Sequence, residues 1–145
     1  MSKVARSTVL PIPAETAAQL ARKPATMAFV LGPYLKFRRL EIPEPVEVGT
    51  TGSAWLWCFG IIPLWTHRLE VKELSLTEVY TNESGGPVHT WNHRLIFEPI
   101  DDRRCRYTDE VETDEGWRGA PTRSFVRLLF RHRHRRWRTL AAILA

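Results

Sequence analysis

The sequence predicts an α+β domain in which a seven-stranded, curved antiparallel sheet wraps a long C-terminal helix, with two short helices after the first strand. Three observations point to this class. Between residues 34 and 113, apolar and polar residues alternate with the period of half-buried strands. Turn-forming residues break that pattern at intervals too short for the crossovers that parallel neighbours need. From about Thr122 to the end the period becomes helical.

Residues 3–10 (KVARSTVL) read as the first strand, stopped by Pro11-Ile12-Pro13. Strong helix formers fill residues 14–22, and Pro13 suits a helix start. Pro24 opens a second short helix, closed by Gly32 and Pro33. Strand candidates follow at 34–42, 53–59, 64–74, 76–82, 88–99 and 104–113. Pro43-Glu44-Pro45, the stretch 60–63, Ser84-Gly85-Gly86-Pro87 and Asp101-Asp102 separate most of them. The division near residues 74–76 lacks a clear turn residue.

The alternation also assigns faces. In 88–98 the odd set His89, Trp91, His93, Leu95 and Phe97 faces inward, and in 104–113 the odd set Cys105, Tyr107, Asp109 and Val111 does the same. His93 and Asp109 are thereby polar residues on apolar faces, opposite or diagonal across a hairpin. Trp65, His67, Leu69 and Val71 form a third inward set, whereas in 53–59 Trp55 and Trp57 alternate with the equally buriable Ala54 and Leu56. On the helix, Val126, Leu129, Phe130, Trp137, Leu140 and Leu144 form one stripe with Arg133 at its middle. A charge there must be paired or reach water, and inward-facing Asp109 is its expected partner.

Composition bounds the function. At 145 residues, with 43% hydrophobic and 26% charged residues, one domain with its own core is expected. Cys58 and Cys105 have no metal-ligand spacing and are expected to be reduced. The first residues carry no signal-peptide core, and no stretch approaches the roughly 18–20 apolar residues of a membrane span, so a cytoplasmic location is expected. The net charge of +5 is uneven, because residues 121–145 hold seven Arg and no acid. A solvated helix face explains that run better than nucleic-acid binding, since no reader motif accompanies it; transient contact with a membrane surface is the better functional variant. His89 and His93 are about 13 Å apart along a strand, and His132 and His134 point apart on a helix, so no metal is expected.

The segments Trp91-Asn92-His93-Arg94…Phe97-Glu98-Pro99, Arg106-Tyr107-Thr108-Asp109-Glu110-Val111-Glu112 and Phe130-Arg131-His132-Arg133-His134-Arg135-Arg136, in this order of elements, resemble the START-like, or SRPBCC, superfamily of helix-grip proteins. The likeness is closest to its small bacterial members, grouped with polyketide cyclases and lipid-transfer proteins. It implies one START-like domain over residues 1–145, with a deep cavity between sheet and C-terminal helix. Members bind lipids, sterols, polyketides or plant hormones, and some are cyclases. No catalytic motif spans the superfamily, so only cavity-lining positions carry over.

The expected function is therefore binding of a hydrophobic small molecule without a cofactor, by a monomer or homodimer. The candidate lining residues are Trp55, Trp57, Trp65, His67, Trp91, His93, Tyr107, Asp109, Arg133 and Trp137. Aromatic rings would supply rigid apolar area, and His67, His93 and Arg133 the few polar anchors. The rival is a cyclase or dehydratase using His67, His93 and Asp109 as acid and base groups. Against it, a hydrogen-bonded structural cluster is the commoner use of buried polar residues.

Overall fold

The computed structural model describes residues 2–86, 88–114 and 119–145; Pro87, the last residue of the expected 84–87 turn, lies outside them. The elements are β1 (Ser2–Leu10), α1 (Ala14–Ala21), α2 (Pro24–Leu31), β2 (Leu35–Glu41), β3 (Thr51–Cys58), β4 (Ile62–Leu74), β5 (Glu78–Gly85), β6 (Val88–Pro99), β7 (Cys105–Thr113) and α3 (Gly119–Leu144). One seven-stranded sheet has the order β1-β7-β6-β5-β4-β3-β2, with every pair antiparallel. This is the fold class that the alternation and the final helix predict.

Local chemistry accounts for the boundaries. The Ser75 hydroxyl accepts from the Thr77 and Glu78 amides, so a serine side chain makes the turn between β4 and β5 where no Gly or Pro stands. Pro24 occupies the first turn of α2, where its missing N–H costs nothing. β5 extends to Gly85, past the expected end at 82.

Register shifts interrupt β2–β3, β3–β4, β4–β5 and β5–β6, whereas β6–β7 and β1–β7 run without one. Bulges bend a strand and increase its twist, so the shifted pairs supply the curvature that folds the sheet around α3. The core under the regular strands is dense. Phe97 and Tyr107 stack at 4.8 Å and Trp137 of α3 meets Tyr107 at 5.1 Å, while α1 and α2 add Ala14, Ala17, Ala18 and Val30. A smaller cluster joins Val4, Trp91 and Val111 to Val126 and Phe130 of α3. Among the described residues, no helix is long and apolar enough to cross a membrane.

Candidate functional site

Asp109 is the centre of the polar interior. It projects inward from the middle of β7 and is wholly buried. A carboxylate has about four lone-pair sites, and here each meets a donor. His93 Nε2 donates to Oδ1 at 2.6 Å and Arg133 Nη2 to the same oxygen at 3.3 Å. Arg133 Nε donates to Oδ2 at 3.2 Å, and His134 Nε2 to Oδ2 at 2.9 Å. Arg133 Nη2 also donates to the Tyr107 hydroxyl at 3.1 Å. The ion pair expected between the sheet and the helix stripe is thus present, with two histidines added.

The chain of contacts continues across the sheet. His93 Nδ1 lies 3.7 Å from Glu83 Oε2, and Thr81 Oγ1 donates to that oxygen. His67 Nε2 donates to Glu83 Oε1 at 2.8 Å, and Trp65 Nε1 donates to His67 Nδ1 at 3.5 Å. A line of ionisable side chains therefore runs from α3 through β7, β6 and β5 to β4. Its exposure is graded: the side chain of Asp109 is 0% exposed, His93 10%, Glu83 13% and His67 19%. The β4 end is the end that meets solvent.

Burial alone would raise the Asp109 carboxyl, but the Arg133 guanidinium and the His134 and His93 hydrogen bonds outweigh it and hold it well below the usual range. Glu83 is likewise lowered, its burial outweighed by hydrogen bonds from His67 and His93. His93 is raised, because Asp109 and Glu83 together exceed the burial that opposes its charge. Burial, with the adjacent Asp109 charge, pushes the Tyr107 phenol well above its ordinary value, so it stays a neutral partner for Arg133. Burial also pushes the Cys105 thiol up to about 11, which makes it a poor nucleophile.

The other expected lining residues divide. Trp91, Tyr107 and Trp137 face inward but are packed into the core. Trp65 faces inward and is half-buried against the β5–β6 turn: a Cβ added to Gly86 (φ +55°) would overlap its ring. Trp55 and Trp57 do not line the interior as expected. Ala54 pairs with His67 and Trp55 with Thr66, so both tryptophans lie on the outer face, 4.8 Å apart, with Arg38 over the Trp57 ring.

The expected deep cavity under α3 is, on the β6–β7 side, filled by Phe97, Tyr107, Trp137 and Phe130. A depression of about 820 Å³ lies instead against the outward row Ser53, Arg68 and Ser84, beside residues 40–43.

Two residues of the polar line were not anticipated. Glu83 continues the inward odd set Val79, Thr81 of β5, beyond the strand end expected from sequence. His134 stands four residues after Phe130 and eight after Val126, on the buried stripe. Both spacings were present in the sequence. Among the described residues, no cluster of three or more His, Cys, Asp or Glu is arranged to hold a metal ion.

In three dimensions the chain is similar to a START superfamily protein from Mycobacterium smegmatis, with a TM-score of 0.78 and 11% sequence identity over 99% of each chain. It is equally similar to protein CV1439 from Chromobacterium violaceum, with a TM-score of 0.78 and 14% identity over 97% of this chain and 98% of that one. The Zhui aromatase/cyclase from Streptomyces sp. R1128 aligns with a TM-score of 0.63 and 12% identity, over 95% of this chain and 89% of its own. At such identities the likeness is one of fold, and the fold is the START-like helix grip. No curated protein matches the sequence. A family model described as a domain of unknown function, DUF8410, matches residues 8–140. The chain thus belongs to the DUF8410 family, built on the helix-grip fold of the START superfamily.

Proposed function

We propose that the protein binds a hydrophobic small molecule, such as a lipid or polyketide-like metabolite, on the concave side of β3–β5 facing α3. One observation carries this reading. The inward row Trp65, His67 and Leu69 of β4 is only partly buried, while Trp91, His93, Leu95 and Phe97 of β6 and Cys105, Tyr107, Asp109 and Val111 of β7, further along the sheet, are closed. An indole and an isobutyl group flanking a histidine–carboxylate pair match the usual make-up of a small-molecule site, apolar walls with few polar groups. Trp65 and Leu69 would contact the ligand, the His67–Glu83 pair would anchor its polar end, and the Asp109–Arg133 cluster would hold the sheet to the helix behind it.

A specific observation supports a second reading. The partly exposed His67 is backed by Glu83, and His93 and Asp109 continue the line into the core. A histidine fixed by a carboxylate is suited to exchange a proton with a bound substrate, as a cyclase or dehydratase requires. The aromatase/cyclase of the same fold supports this variant by analogy.

Native mass spectrometry of protein purified from cells, with titration by the neutral dye N-phenyl-1-naphthylamine, tests the main reading. A co-purifying apolar ligand or saturable dye binding is expected. Trp65→Ala should weaken the dye roughly tenfold, since loss of an aromatic anchor costs more than about 1 kcal/mol. An empty protein that also ignores the dye contradicts it. Loss of turnover in His67→Ala with dye binding retained would select the enzyme.

A further inference from the structure

The hairpin joining β3 to β4 presents greasy side chains to water. Phe59 and Gly60 form its two-residue turn at φ 54° and φ 72°, closed by the Ile61 amide donating to Cys58 O at 3.0 Å. This left-handed geometry favours Asn or Gly, and a bulky residue adopting it is unusual. The turn nevertheless holds a phenylalanine that is 50% exposed, followed by Ile61 at 76% and Ile62 at 57%. Tyr34, 45% exposed, packs edge-on against Phe59 at 5.3 Å and against His132 of α3 at 4.2 Å. Leu128, one helical turn before His132, is 67% exposed. Large apolar side chains exposed together at one hairpin and beside it are the mark of a contact surface.

The segments that carry these side chains, residues 23–40, 53–69 and 119–145, contain no Asp or Glu. Lys36 lays its stem against Gly60, where an added Cβ would stand 2.9 Å from Lys36 Cδ. Arg127 and Arg131, on either side of Leu128, are exposed. Apolar side chains projecting from a basic rim complement an anionic bilayer, whose headgroups meet the cations while the tip enters the acyl boundary. A second copy of this surface would set cation against cation.

We infer that the 59–62 hairpin tip, with Tyr34 and Leu128, docks the protein onto anionic lipid membranes. The docking surface stands apart from the ligand site. Its use in loading that site, where Trp65 begins the inward row three residues after Ile62, rests on the ligand reading.

Sedimentation with phosphatidylcholine vesicles, with and without phosphatidylglycerol, tests the inference. The protein should pellet with the anionic vesicles, less so at high salt. The double variant Ile61→Glu/Ile62→Glu should bind at least about tenfold more weakly, since the apolar tip carries the insertion. Both positions are exposed, so the variant should keep the wild-type melting temperature and its dye binding, which separates failure of docking from failure of the ligand site. A wild-type protein that stays in solution, a variant that pellets equally, or a wild-type dimer in light scattering that the variant abolishes would each overturn it.

Discussion

The β1–β7–β6 part of the sheet and the β5–β4–β3–β2 part meet the same helix in different ways. In the first, the β1–β7 and β6–β7 ladders run without a register shift, and Phe97, Tyr107, Val111 and Asp109 are closed under α3. In the second, the three internal pairings each contain a shift, and Trp65, His67 and Leu69 remain partly open. The difference separates a tightly closed interior under β1, β7 and β6 from a partly open inward surface on β4. An unbroken ladder holds its inward side chains at fixed spacing, which lets four donors converge on one carboxylate. Shifted pairings curve the strands around α3 and break that fixed spacing, and the inward side chains of β4 lack a full complement of neighbours.

The sharpest way to break the comparison is to disarm each part at its carboxylate. Asp109→Ala leaves Arg133, His93 and His134 in the interior without their anion, and should cost about 3–5 kcal/mol in denaturant unfolding. Glu83→Gln keeps the shape at a more open position and should cost only about 1–2 kcal/mol. Equal losses would mean that the two parts are locked alike.

A smaller effect should appear with pH. Asp109 and Glu83 are held below their ordinary values of 3.8 and 4.5, so their stabilisation is full above those values and is lost as pH falls through and below them. His93 is raised above 6.5, so its contribution is full below 6.5 and fades as pH climbs towards its raised value. Unfolding free energy should therefore peak between about 5 and 6.5. His93→Gln should flatten the alkaline side and also weaken the acidic side, because His93 helps to hold Asp109 and Glu83 low. A wild-type profile level from pH 6 to 8.5 would show that His93 carries no charge in the fold.

The same division explains what could be read from the sequence. Strands β6 and β7 alternate cleanly because one side is closed by the helix and the other is wet, and the inward positions of His93 and Asp109 followed directly. The partnership of Arg133 with Asp109 followed because neither had another partner on its face. Strand β3 offered no such contrast: Ala54 and Leu56 are as buriable as Trp55 and Trp57, and only pairing with His67 of β4 selects the small residues for the inside. Glu83 lies one position beyond the strand end that the sequence predicts for β5, where Ser84-Gly85-Gly86 signals a turn. His134 is not part of the apolar stripe, yet the buried face runs through Val126, Phe130, His134, Trp137 and Ala141. Polar residues on a buried face are legible only when the face is traced by spacing rather than by hydrophobicity.

The central claim, that an apolar ligand enters over β4 and β5 and not elsewhere, is tested most directly by titrating the protein with N-phenyl-1-naphthylamine while following its histidine ring resonances by NMR. The account predicts large shifts at His67, smaller ones at His93, and none at His132, whose ring is tied to Gly32 O at 2.7 Å away from the polar line. Unmoved His67 resonances, with shifts confined to the amides of Ser53, Arg68 and Ser84 on the outer face, would contradict it.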